Sequence, residues 1–125
     1  MATLTVIVTS VNDADKLKYT FEGLVEQSTE EFDVIIVDRG SDEAAKEVIK
    51  HYCDEYVGFE CIEVASCLIP EARNAGMKKA KGELVYFVDG GDYIAPETIE
   101  SILTAAEETK ADIFVKVFRA NDLVP

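Results

Sequence analysis

The sequence predicts an α/β fold: a mostly parallel sheet with helices on both faces. Three observations carry this. Short apolar segments rich in β-branched residues alternate with longer stretches of helical periodicity, in the order βαβαβαβαβ. The loops between them are short, with no linker, repeat or low-complexity tract, which suits consecutive parallel crossovers. A chain of 125 residues fits one domain with its own apolar core, so residues 1–125 are read as a single domain.

Each element follows from its residues. Leu4 to Val8 (LTVIV) is short and β-branched, the pattern of a first strand. Leu17, Phe21, Leu24 and Val25 make one helical face, and Asp13 is placed to cap its start. Val34 to Val37 (VIIV) is a continuous apolar run, as in a strand buried on both sides. Ser41 is the expected cap of the next helix, whose stripe is Ala44, Ala45, Val48, Ile49 and Tyr52. Phe59 to Val64 predicts a third strand. Pro70 and Glu71 suit the first turn of a helix, Lys78, Lys79 and Lys81 its far end, and Gly82 its termination. Leu84 to Val88 (LVYFV) is the clearest buried strand. Pro96 and Glu97 open a fourth helix facing inward through Ile99, Ile102, Leu103 and Ala106, and Ile113 to Val117 reads as a fifth strand.

The net charge of −13 excludes function classes as well as describing a surface. Nucleic-acid binding rests on Lys and Arg contacts to phosphate, so no nucleic-acid partner is expected. An anionic ligand would need local positive groups or a cation against this background. No apolar run reaches the roughly 20 residues of a membrane span, and Met1 leads directly into a strand-like segment with no secretory pattern. The expected location is the cytoplasm or the cytoplasmic face of a membrane. Cys53, Cys61 and Cys67 are odd in number and match no zinc or redox spacing, even with His51 nearby, so they read as thiols in a reducing compartment.

In open parallel sheets, ligands bind beyond the carboxyl ends of the strands, where the strand order reverses. The informative residues are therefore those at the strand ends. They are Thr9, Ser10, Val11 and Asn12 after the first strand, Asp38, Arg39, Gly40 and Ser41 after the second, and Asp89, Gly90, Gly91 and Asp92 after the fourth. An order of 3-2-1-4 places Asp38 and Asp89 on the rim of one crevice. Asp89 and Asp92 flank two glycines and are candidate oxygen ligands for a hard divalent cation. Arg73, early in the preceding helix, suits an anion or the polar edge of a base. No Walker A loop and no G-x-G-x-x-G follow the first strand, which argues against a P-loop enzyme and a dinucleotide dehydrogenase. A receiver-like signalling domain would need acids after its first and third strands, where Thr9-Ser10 and Ala65-Ser66 stand instead.

In this order the residues resemble the family 2 glycosyltransferases, of Rossmann-like GT-A fold. LTVIVTSVN (4–12) resembles the opening strand and polar loop, and FDVIIVDRGS (32–41) the second strand and its Asp-Asp-Gly-Ser loop. ARNAG (72–76) resembles the Ala-Arg-Asn-x-Gly helix, and AKGELVYFVDGGD (80–92) the strand that carries an Asp-x-Asp motif. The resemblance implies a three-layer α/β/α domain that binds a nucleotide-diphosphate sugar donor, with a divalent metal, Mn or Mg, and an unknown sugar or lipid-linked acceptor in polysaccharide or glycan synthesis. It implies that Asp38 lies in the loop that reads the base and Arg73 in the helix that closes over the nucleotide. It implies that Asp89 contacts ribose or metal-bound water, and that Thr9 and Asn12 line the pocket. Arg39 stands where the family has a second acid, and Gly91 where Asp-x-Asp has its last, leaving Asp92 as the substitute metal ligand. The general base and acceptor region are expected beyond Pro125, as in a longer glycosyltransferase. A second reading is a nucleotide-sugar-binding module without catalysis, given Arg39, Gly91 and the missing base.

Overall fold

A computed structural model describes residues 4–65 and 68–109. Within them lie β1 (Leu4–Thr9), α1 (Ala14–Val25), β2 (Phe32–Asp38), α2 (Glu43–Glu55), β3 (Phe59–Glu63), α3 (Ile69–Lys79), β4 (Leu84–Asp89) and α4 (Thr98–Thr109). The four strands form one parallel sheet in the order β3-β2-β1-β4, as the sequence predicts. The fifth strand expected at Ile113 to Val117, and Cys67, lie outside the described residues.

Side-chain alternation divides the strands between two cores. Leu4, Val6 and Val8 with Val34, Ile36, Tyr86 and Val88 face α1, α2 and Ile99 of α4. Ile7, Ile35 and Val37, with Val85 and Phe87, face Ala72 and Ala75 of α3. β1 is central and every one of its residues is buried, which is why its apolar run is unbroken apart from threonines. β3 lies at one end of the described sheet, and its mostly exposed pattern explains its weak sequence signal.

The helix ends show where local chemistry differs from expectation. Asp13 caps α1 by accepting from Lys16 N at 3.1 Å, as expected. Ser41 does not cap α2. Its N–H donates to Asp38 Oδ1 at 2.8 Å in the turn after β2, and the cap is the next residue, Asp42, which accepts from Ala45 N at 2.9 Å. Ala44 is exposed, outside the apolar stripe. Pro70 and Glu71 sit in the first turn of α3, and Glu71 accepts from Leu68 N at 3.0 Å. Gly82 does not terminate α3, which is closed by Ala80 N donating to Met77 O. Gly82 instead passes directly over β1: a Cβ there would lie 2.7 Å from Thr5 N.

Candidate functional site

The strand order puts the reversal between β1 and β4, and the site is assembled around the last residues of those strands. Thr9 and Asp89 are direct neighbours in register. By alternation both share the α3 face with Phe87. The Thr9 hydroxyl, buried, donates to Asp89 Oδ1 at 3.0 Å. From α3, Arg73 Nη2 donates to both Asp89 oxygens, at 3.1 and 3.2 Å, while its guanidinium lies 5.4 Å from the centre of the Phe87 ring. The sequence separates Arg73 from Asp89 by a helix and a turn; the fold makes them one ion pair, about one-third and one-quarter exposed respectively.

What seats Arg73 is Gly76, one helical turn further on. A Cβ at Gly76 would lie 2.5 Å from Ile7 Cγ2 and 3.2 Å from Val37 Cγ2, so only a glycine lets α3 settle this close to β1 and β2. Arg73 Nη2 reaches both Asp89 oxygens, while Arg73 Nε is buried with no hydrogen-bond partner among the described residues. A buried, unmatched N–H of this kind is costly unless something accepts from it.

Asp38 ends β2 with the opposite parity, and so stands on the α2 face. It is almost fully buried, accepts from Ser41 N, and pairs through Oδ2 with Lys46 Nζ of α2 at 3.0 Å. Lys46 also reaches Glu63 Oε2, at the end of β3, at 3.2 Å. Burial alone would raise the Asp38 pKa, but the contacts to Ser41 and the Lys46 ammonium together hold it below the usual carboxylate value. Asp38 and Asp89 therefore share the C-terminal edge of the sheet but turn to opposite faces. The two acids placed on one rim by sequence belong to separate networks. The strand-one loop joins them: Ser10 Oγ accepts from Arg39 N at 3.0 Å, Arg39 Nε donates to Ser10 O at 3.3 Å, and Asn12 Oδ1 accepts from Asp42 N at 3.0 Å.

The turn after β4 has its own supports, which the sequence reading did not single out. Thr20 of α1, fully buried, accepts from Gly91 N and donates to Asp92 O, both at 2.7 Å. Gln27 Nε2 donates to Ala95 O at 2.7 Å, and its Oε1 accepts from Ile99 N at 2.9 Å. The available signal was a polar Thr20 on the apolar stripe of Leu17, Phe21 and Leu24. Gly91 adopts φ +102°, a conformation that an L-residue takes up only with strain.

The expected metal ligands fit a divalent cation poorly. Both Asp89 oxygens are engaged by Arg73, one of them also by Thr9. Asp92 Oδ2 lies 3.4 Å from Asp89 N, across the same turn. Among the described residues no group of three or more His, Cys, Asp or Glu side chains is arranged to hold a metal ion. Cys53 and Cys61 are free thiols. No helix among the described residues is long and apolar enough to cross a membrane.

The sequence and the fold both have counterparts among known proteins. The family model for glycosyl transferase family 2 matches residues 5–124. The uncharacterized glycosyltransferase YibD of Escherichia coli (strain K12) is 31% identical over 110 residues, covering 88% of this chain and 32% of YibD. TarS of S. aureus, solved in complex with UDP, superposes with a TM-score of 0.76 at 27% identity, over 86% of this chain and 32% of that one; TarS is also solved with UDP-GlcNAc. The mannosyltransferase PcManGT of Pyrobaculum calidifontis, in complex with GDP-Man and Mn2+, shares the fold, with a TM-score of 0.75 at 20% identity, over 83% of this chain and 32% of that one. The chain spans a third or less of the length of the relatives it matches.

Proposed function

The chain belongs to glycosyl transferase family 2, and we propose that the C-terminal edge of its sheet is the donor site for a nucleotide-diphosphate sugar. The whole protein's activity on this reading is transfer of that sugar to a sugar or lipid-linked acceptor. The single observation that carries the proposal is the convergence of Thr9, Arg73 and Asp89 at the strand reversal, where open α/β sheets bind their ligands.

On this reading the residues divide the work. Arg73, held by Gly76 and Phe87, supplies positive charge and unmatched N–H donors to the diphosphate. Asp89 orients Arg73 and presents carboxylate oxygen to the ribose. Thr9 fixes the Asp89 carboxylate rather than touching the ligand, since it is buried. Asn12, Asp38 and Arg39 shape the loops on which the base rests, with Asp38 acting through the Ser41 turn. The relatives solved with UDP, UDP-GlcNAc and GDP-Man support a nucleotide ligand and leave uracil and guanine both open for this chain.

Calorimetric titration with UDP, GDP and their sugars tests the proposal. Saturable binding of one nucleotide series, weakened by Asp89→Ala without loss of the folded state, is expected. A large fall in melting temperature with unchanged affinity would make Asp89 structural. No binding of any nucleotide, with or without Mn2+ or Mg2+, would sink the donor site.

A further inference from the structure

We propose that in this protein Arg73 takes the place of the divalent cation, so that the diphosphate is held at the end of β4 without metal. This rests on the donor-site reading and departs from the Mn or Mg requirement that the family resemblance implies.

The first support is occupancy. A hard cation binds carboxylate oxygen at about 2.0–2.6 Å. Both Asp89 oxygens already lie within 3.2 Å of Arg73 Nη2, and Oδ1 also accepts from Thr9. A cation would have to displace the guanidinium from this charge-assisted contact. The second is the loss of a partner acid. Gly91 carries no ligand, and its φ of +102° disfavours any residue that would. Asp92 is held in the turn by Thr20 through its backbone, and its Oδ2 faces Asp89 N.

Charge gives the third support. Two carboxylates side by side call for a divalent cation to approach neutrality before an anion can follow. With Gly91 in place of the motif's second acid, the guanidinium of Arg73 pairs with the carboxylate of Asp89, where two acids of the motif would call for a divalent cation. The fourth is the unused donor. Guanidinium has five N–H groups in a fixed fork. Arg73 holds Asp89 through Nη2, and among the described residues its buried Nε has no partner. Phosphate oxygens match the remaining edge of the fork in geometry and charge.

The test is nucleotide affinity in the presence of EDTA and in the presence of Mn2+, measured by calorimetry with UDP and GDP on the unmodified protein, Arg73→Lys and Arg73→Gln. Equal affinity in the two buffers is expected for the unmodified protein. In EDTA, Arg73→Gln is expected to lose about tenfold or more in affinity, the range for a charged hydrogen bond. Arg73→Lys, which keeps charge without the fork, is expected to fall between. Binding seen only with Mn2+ would overturn the inference and leave the donor site standing. Unchanged affinity of Arg73→Gln in EDTA, with a native melting transition, would also overturn it. Absence of binding in both buffers would remove the donor site itself, and this inference with it.

Discussion

Substituting Gly76 with alanine probes the seat of Arg73 directly. The new Cβ would lie 2.5 Å from Ile7 Cγ2, where ordinary carbon contacts are about 3.5–4.0 Å. Ile7 is fully buried and β-branched, so it has no free rotamer into which to retreat. Helix α3 must therefore withdraw from the sheet by about 1 Å to restore ordinary contact. Overpacking of this kind costs about 1–3 kcal/mol. Replacing a helical glycine by alanine returns about 1 kcal/mol through propensity. The net expectation is a modest loss of stability, with melting lowered by about 4 °C per kcal/mol. The decisive form of the experiment is a double-mutant cycle with Ile7→Ala, followed by urea denaturation. Removing the Ile7 branches opens the space that the new methyl would fill. In that background Gly76→Ala is expected to stabilise, by the propensity gain of about 1 kcal/mol less the cost of the remaining 3.2 Å approach to Val37 Cγ2. The sign should thus reverse between the two backgrounds. An equal effect in both would refute steric seating of α3. Since α3 carries Arg73, nucleotide affinity should fall in the single variant beyond what its stability loss explains.

Three other perturbations test separate supports. Thr20→Val keeps shape but leaves Gly91 N and Asp92 O without their side-chain partner, at about 1–3 kcal/mol for each group left unpaired; an unchanged urea midpoint would show that water or backbone replaces them. Gly91→Ala has room for its methyl, 3.7 Å from Lys16 Cδ, so its cost of about 1–2 kcal/mol should be purely conformational; equal melting temperatures of variant and parent would contradict the positive φ. Asp38→Asn tests acid sensitivity. The folded carboxyl titrates below its ordinary 3.8, so the unfolded chain takes up the proton first as pH falls. The stability Asp38 contributes is present above that range and is lost as pH falls through the lowered value. The variant should be less stable at neutral pH, with a flatter acid limb, and parallel pH–stability curves would refute this.

Much of the fold was legible because its signals are periodic. The unbroken apolar runs of β1 and β2 follow from burial on both faces, β4 buries Tyr86 and Val88 on one face and half-buries Val85 and Phe87 on the other, and Asp13 and Pro70 mark helix starts by local chemistry that does not depend on the rest of the chain. Ser41 misled because its neighbour Asp42, an equally good cap, holds the helix start, and Gly82 because β1 came against it. Each strand-end residue of the site was visible in sequence, but their grouping was not. Strand parity alone separates Asp38 from Thr9 and Asp89, and could have been read once the strand limits were known. The Arg73–Asp89 pair depends on how deeply α3 sits, which is set by the missing side chain at Gly76 and has no periodic signature. Thr20 was overlooked because a threonine within an apolar stripe packs much like valine until its hydroxyl finds a partner.

The donor site is tested most directly by mapping amide resonances of the protein while UDP or GDP is added. Perturbations gathered at residues 9–12, 38–41, around Arg73 and at 89–92 are the expected result. Ligand-induced changes confined to the opposite, N-terminal ends of the strands, or to the outer face of α4, would contradict it.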